Sequence, residues 1–318
     1  MPDNEPWPPS GEQIELRYDD QTAVVVTVGG GLRSYRVGDH DVLDGFAAHA
    51  AADGARGQTL VPWPNRVRDG KWEWQGEPQQ LAITEPAQHN AIHGLVRWLG
   101  WSVAERRASG VTVRCASWPQ LGYPWPLEVS VRYDVGDEGL TVEQSITNRG
   151  SSPAPVAAGA HPYLTVGTDR VDDAVLHVDA DAWIDTGAQQ IPTGVVAVEG
   201  TPYDFREPRR IGTTEIDYTF TGLHRDDDGR FTLTLRHPSG ERSVALWVDE
   251  SYDYVEVYTG DTLPDASRRR RGLGVEPMSA PPNALASGTS LRVLAPGETW
   301  RGHWGITAGG ARISPGPR

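Results

Sequence analysis

The chain has a single cysteine, Cys115, and a single lysine, Lys71, in 318 residues. One thiol excludes an intramolecular disulfide framework and any cysteine-based zinc or iron-sulfur centre within one chain, and it suits a reducing cytoplasm. The lone lysine is followed by Trp72, so no phosphate-cradling loop ending in Gly-Lys-Ser/Thr exists and nucleotide hydrolysis by that device is excluded. No apolar run approaches the roughly 18 residues of a membrane helix, and residues 1–13 lack the cationic and apolar segments of an export signal. Positive charge is scarce as well: 29 basic against 43 acidic side chains leave a net charge of −14. Such a chain repels phosphate backbones and anionic lipid, so neither nucleic acid nor a membrane is an expected partner.

Other familiar devices are missing. Gly29-Gly30-Gly31 is not spaced as a dinucleotide fingerprint and reads as a tight turn. No Gly-x-Ser-x-Gly elbow appears, and no two histidines sit at i, i+4 in the His-Glu-x-x-His pattern of a zinc protease, since His89 and His93 have Asn90 after the first histidine.

Glycine and proline are plentiful, at 36 and 25 residues, and both disfavour helices, while 12 Trp and 10 Tyr supply flat apolar surface. Short segments of strand composition recur at 23–28, 111–115, 127–133, 140–146, 231–235, 244–248 and 252–258. In one of them Leu127, Val129, Val131 and Tyr133 alternate with Glu128, Ser130 and Arg132, the pattern of a half-buried antiparallel strand. Turn clusters such as Gly136-Asp137-Glu138-Gly139 separate the segments, and no stretch sustains a 3.6-residue period. The expected fold is all-β: one large antiparallel β-sandwich domain over residues 13–308 with few short helices. Residues 1–12, rich in proline, are expected as a mobile lead-in and residues 309–318 as a flexible tail. The basic run at 268–271 is read as a solvated loop.

Polar and ionisable residues set in apolar or Gly/Pro-rich surroundings carry the functional signal, because such groups cost free energy to bury unless paired. Five segments qualify. Arg66 follows a stiff Pro62-Trp63-Pro64-Asn65 turn and offers a fork of donors, either to a ligand or to one of the acids. His93 lies in Asn90-Ala91-Ile92-His93-Gly94. His161 lies in Ala158-Gly159-Ala160-His161-Pro162-Tyr163, where small residues imply a close backbone approach. Asp217 sits beside Ile216 and Tyr218, and the alternative use for it is to cap a turn. Glu276 is the sole acid in Gly272-Leu273-Gly274-Val275-Glu276-Pro277-Met278, where partial burial would raise its carboxyl above the usual range, as a general base requires. Two histidines, two carboxylates, an arginine and abundant aromatic rings suit an uncharged, hydroxyl-rich ligand, which points to a sugar.

From about residue 60 to 306 the chain resembles the aldose 1-epimerases, or mutarotases. The resemblance is carried by Asn65-Arg66, Asn90-x-x-His93-Gly94, Gly159-Ala160-His161-Pro162-Tyr163 and Gly272-x-Gly274-x-Glu276-Pro277-Met278-x-x-x-Pro282-Asn283-Ala284, with Leu294-x-Pro296-Gly297-Glu298-Thr299 and Trp304-Gly305-Ile306 closing the series. It implies a galactose mutarotase-like sandwich with an open sugar cleft, no cofactor and no metal. His161 would be the general acid at the ring oxygen and Glu276 the base at the anomeric hydroxyl, while Arg66, His93 and Asp217 would hold the sugar hydroxyls. One departure is that His93-Gly94 is followed by Leu95-Val96-Arg97 where galactose-type members usually continue with another glycine. This resembles the branch with relatives acting on anionic sugars, so Arg97 either meets an anionic substrate group or forms a salt bridge on a turn. Competing readings of the same residues are a glycoside hydrolase using Asp217 and Glu276 as paired carboxylates and a sugar-binding protein without catalysis.

Overall fold

The computed structural model describes residues 6–310, and within them the chain is almost entirely antiparallel sheet. A nine-stranded sheet runs Ser102–Arg106, Gly110–Ser117, Leu127–Gly136, Leu140-containing Gly139–Asn148, Thr299–Gly310, Arg242–Val248, Phe231–Arg236, Val175–His177 and Arg209–Arg210. An eight-stranded sheet contains, in order, Pro192–Ala197, Ala180–Thr186, Asp217–Leu223, Tyr254–Tyr258, Leu273–Met278, Gly159–Ala160 and Thr59–Leu60, with Tyr163–Leu164 pairing to Leu273–Met278 off this path. A four-stranded sheet formed by Gln13–Tyr18, Gln21–Val26, Leu32–Val37 and His40–Asp41 packs at one side. Among the described residues the one α-helix is the single turn Ala284–Ser287, and no helix is long and apolar enough to cross a membrane.

The expected alternation is present. Leu127, Val129, Val131 and Tyr133 are buried while Arg132 between them is exposed, so one face of that strand packs inward. The inward faces of the two large sheets share one apolar core, in which Val131, Val142 and Leu246 from one sheet belong with Val255, Val257 and Val275 from the other. A polar link crosses this core: Tyr252 donates to Gln144 Oε1 at 2.7 Å, and Gln144 Nε2 donates to the Gly159 carbonyl at 3.0 Å. Gln144 is thus satisfied though buried, and it ties the backbone two residues before His161 to the opposite sheet.

Three expectations are corrected. Residues 8–12 are anchored, with the Val28 N–H donating to the Ser10 carbonyl and the Thr27 N–H to the Glu12 carbonyl, because the backbone ahead of Gln13–Tyr18 keeps pairing with the continuation of Gln21–Val26; residues 1–5 lie outside the described residues. At the other end, the final strand continues to Gly310, where Gly309 and Gly310 pair with Ser243 and Arg242, and 311–318 lie outside the described residues. The basic run is not a solvated loop: Arg268 pairs with Asp44, and the buried Arg270 reaches both Asp172 at 2.8 Å and Asp261 at 2.7 Å. Neighbouring carboxylates supply the partners that make its burial tolerable.

Candidate active site

The His161 turn is fixed by close backbone approach. A Cβ at Gly159 would stand 2.9 Å from the Pro277 carbonyl, so only glycine lets this strand lie against Leu273–Met278. Ser279 and Ala158 then clamp the two chains, Ser279 N–H donating to the Ala158 carbonyl and Ala158 N–H to Ser279 Oγ at 2.8 Å. Beyond the clamp, His161 and Glu276 meet, with Nε2 3.0 Å from Oε1. Their side chains are 5% and 4% exposed. The charges of Arg66 and Arg97 act on His161 and those of Asp217 and Arg66 on Glu276, and all three of these residues are half-buried.

Behind His161, Tyr163 stacks on the imidazole with ring centroids 5.0 Å apart, and the Arg56 guanidinium sits 3.9 Å from the centre of the Tyr163 ring. Arg56 is held from below by Asp44 at 2.9 Å and Asp53 at 3.2 Å. Burial, and then this Arg56 charge, lowers the His161 imidazole to about 3. Burial, reinforced by Glu256 and Asp217, pushes the Glu276 carboxyl well above its usual range. Both shifts act against the charged forms, so the free site favours a neutral imidazole and an uncharged carboxyl over the ion pair.

His93 is set by an unusual backbone. It has φ of 62° and is followed by Gly94 at 69°, where a Cβ would stand 2.1 Å from the Val61 carbonyl. Asn65, itself at φ 54°, donates its N–H to His93 Nδ1 at 3.2 Å and accepts the His93 N–H at 3.0 Å. Burial, with the His161, Arg97 and Arg66 charges adding to it, keeps this ring neutral. Because Nδ1 accepts, the neutral ring carries its proton on Nε2, as a hydrogen-bond donor. Ligand atoms of His93, His161 and Glu276 lie within 4.8 Å of one another, a donor set that zinc accepts. A protonated Nε2 on His93 does not ligate, so the trio fits hydroxyl recognition better than metal coordination.

Arg66 lies on the strand Arg66–Arg68, paired with Asn90–Ile92 and steadied by Asn283, whose N–H donates to the Arg66 carbonyl and whose Oδ1 accepts the Arg68 N–H at 3.1 Å. Of the two alternatives for Arg66, the structure shows the pairing with an acid. Glu85 takes Nε and Nη2 at 3.0 Å each, while Nη1 makes no hydrogen bond among the described residues. Asp217 does not cap a turn; it opens the strand Asp217–Leu223 and accepts a hydrogen bond from Gln190. The segment around Gln190 is tied down twice more, by Asn90 Nδ2 donating to the Gln189 carbonyl at 2.9 Å and by Gln189 Nε2 reaching Asp69. Arg97 stands over Trp98 at 5.4 Å, and its guanidinium forms no hydrogen bond or salt bridge among the described residues. Burial lowers its basicity against the opposing pull of Glu85.

Arg56, Glu85, Gln190 and Glu256 carry no sequence signal for this site. Their neighbours are unremarkable, and only the fold brings them to it.

The model for the aldose 1-epimerase family matches residues 12–307. The chain belongs to the aldose 1-epimerase family. It is 35% identical over 299 residues to the uncharacterized protein YihR of Escherichia coli, covering 92% of each chain. It is 26% identical to the galactose mutarotase of Mus musculus over 293 residues, 83% of each chain. Among solved structures, an aldose epimerase homologue from C. elegans superposes with a TM-score of 0.83 at 19% identity, covering 94% of this chain and 99% of that one. The galactose 1-epimerase of Lactobacillus acidophilus superposes with a TM-score of 0.76 at 20% identity, covering 93% and 94%. These likenesses at low identity show that the sandwich is of the galactose mutarotase-like kind.

Proposed function

We propose that the protein interconverts the α and β anomers of a hexose by acid-base ring opening and closure, with His161 and Glu276 as the catalytic pair. The observation that carries this reading is the 3.0 Å contact between His161 Nε2 and Glu276 Oε1, beside the one donor nitrogen of His93 and the free edge of Arg66. Ring opening needs a proton delivered to the ring oxygen while another leaves the anomeric hydroxyl. The pair holds one proton and has room to accept one. Passage of the shared proton from Glu276 to His161 gives an imidazolium and a carboxylate, a transfer that burial opposes and their mutual attraction offsets, while Arg66 lowers both groups. His161 then protonates the ring oxygen and Glu276 takes the anomeric proton. The C1–C2 bond rotates, and reclosure on the other face of the aldehyde returns both protons. A positioned acid and base each contribute about 10²- to 10⁴-fold.

In this reading Arg66, His93 and Asp217 bind sugar hydroxyls. Arg97 is assigned to an anionic substituent of the substrate, because its guanidinium lacks the salt-bridge partner that the competing explanation requires. The glycosidase alternative is less well supported, since Glu276 is paired with a histidine and not with a second carboxylate acting across a glycosidic bond. The test is the optical rotation of freshly dissolved α-D-glucose, D-galactose and an acidic hexose with and without protein. Acceleration for one of them is expected, and acceleration for none would overturn the assignment. Arg97→Ala is expected to impair the acidic sugar selectively; rates on charged and neutral sugars both left unchanged by the substitution would remove Arg97 from recognition.

A further inference from the structure

Three adjacent strands place Thr219, Glu256 and Glu276 in a single cross-strand row, Glu256 standing directly opposite each of the other two. Residues so paired have Cβ atoms about 4.5–5.5 Å apart. Both glutamates are 3% exposed. Asp217, two residues before Thr219 and thus on the same face, lies within hydrogen-bonding reach of Glu256. The groups facing Glu256 are therefore Asp217 and Thr219 from one strand, Glu276 from the other, and Arg66 from the Arg66–Arg68 strand; His161 lies beyond Glu276. Arg66 is shared with Glu85, so the nearby positive charge is already largely matched. Two buried carboxylates held this close do not both ionise, and a third stands beside them.

We propose that Glu256 is a positioning residue of the acid-base machinery, held as a neutral carboxylic acid that donates to Asp217 and accepts from Thr219, so that negative charge in this row is left to Glu276. This goes a step beyond the mutarotase reading and, for its catalytic consequence, rests on it. Thr219 Oγ1 donates to Glu256 Oε2, which fixes one oxygen as the acceptor and leaves the other to carry the proton. Burial, and then the Asp217 charge, pushes the Glu256 carboxyl up to about 8. Once Glu256 ionises, its charge strengthens the hold of Glu276 on a proton and removes the donor to Asp217. The form with a free Glu276 carboxylate then declines.

The test compares the full chain with Glu256→Gln, which keeps a donor and an acceptor in place and does not ionise. The pH profile of kcat/KM for anomer exchange is expected to fall on the alkaline side in the wild type, and in Glu256→Gln that limb is expected to move up by more than about one pH unit, a tenfold change in proton affinity. Superimposable alkaline limbs would overturn the proposal. A second reading needs neither activity nor the variant's kinetics: infrared spectra of both proteins at about pH 6 and about pH 10, either side of the Glu256 value near 8. A carboxylic-acid carbonyl component present in the wild type at the lower pH, lost at the higher pH and missing from Glu256→Gln is expected, over any band from the raised Glu276 carboxyl that both proteins share. Identical carbonyl bands in the two proteins at the lower pH, or no such band in the wild type, overturn it. Should Glu256→Gln fail to fold, carbon-13 titration of the wild-type glutamate carboxyls decides: all of them ionised at about pH 6 contradicts the proposal. Failure to find any sugar substrate would remove the mutarotase reading and leave the spectroscopic result standing.

Discussion

Gln190 donates its side-chain amide to Asp217, the carboxylate proposed to hold a sugar hydroxyl. Gln189 and Gln190 both adopt left-handed backbone, at φ 65° and 54°, a conformation that costs non-glycine residues free energy. A sugar that engages Asp217 must displace this amide. Gln190→Ala is expected to lower KM by about tenfold or more with little change in kcat, consistent with the roughly 1.5–3 kcal/mol of a hydrogen bond to a charged group. Asp217→Asn should raise KM. Steady-state kinetics of anomer exchange distinguish this from a role for Gln190 in sugar binding, which would raise KM on its removal.

Arg66 and Glu85 form a two-pronged ion pair with side chains only 13% and 19% exposed. Removing Glu85 leaves a guanidinium in partly dry surroundings with only the more distant acids to balance it. Glu85→Ala is expected to destabilise the fold by on the order of 3 kcal/mol, and the Arg66→Ala/Glu85→Ala double variant by less. Urea denaturation of the three variants gives the comparison; strict additivity would show that the pair is not coupled.

Gly94 holds the His93 ring in place through its positive φ of 69° and its contact with the Val61 carbonyl. Gly94→Ala puts a methyl 2.1 Å from that oxygen, so the loop must shift and carry His93 with it. A loss of roughly 1–3 kcal/mol is expected, along with a raised KM. A variant of wild-type stability and kinetics would show that the loop tolerates a side chain.

The titration of Glu256 also leaves a mark on stability. Its carboxyl binds a proton more tightly folded than unfolded, with a folded value of about 8 against the usual 4.5, so its stabilising contribution is complete below about pH 4.5 and is lost as pH rises to about 8. Through pH 4.5 to 6.5 the depressed His161 and His93 oppose this trend, because the unfolded imidazoles bind protons there that the folded ones do not. Above about pH 6.5 that opposition ends. Stability is expected to fall between about pH 6.5 and 8, with a slope of up to about 1.4 kcal/mol per pH unit from Glu256. Glu256→Gln should reduce that slope. An identical pH dependence of the denaturation midpoint in both proteins would contradict this.

How legible a residue was in the sequence depended on its surroundings. His161 and Glu276 interrupt runs of small and apolar residues, so both the chemistry and the family pattern marked them. The alternation from Leu127 to Tyr133 revealed its strand because one face is wet. The strand Leu273–Met278 is buried on both faces, has no alternation and did not read as a strand. Glu256 was hidden by the reverse effect. In Tyr254-Val255-Glu256-Val257-Tyr258 it occupies the apparent solvent face of an alternating strand, yet that face is the floor of the candidate site and all three central residues are buried. Glu85 and Gln190 belong to segments whose approach to Arg66 and Asp217 is set only by the tertiary fold. Arg270 read as part of a charged loop because its partners, Asp172 and Asp261, are 98 and 9 residues away.

Exchange NMR of an equilibrated hexose, in which α and β anomeric signals report their interconversion directly, tests the His161 and Glu276 assignment most closely. With the sugar that the wild type accelerates, His161→Ala and Glu276→Gln, both folded as judged by circular dichroism, are each expected to lose about 10²- to 10⁴-fold of the exchange rate. Exchange that persists at the wild-type rate in either variant would contradict the account.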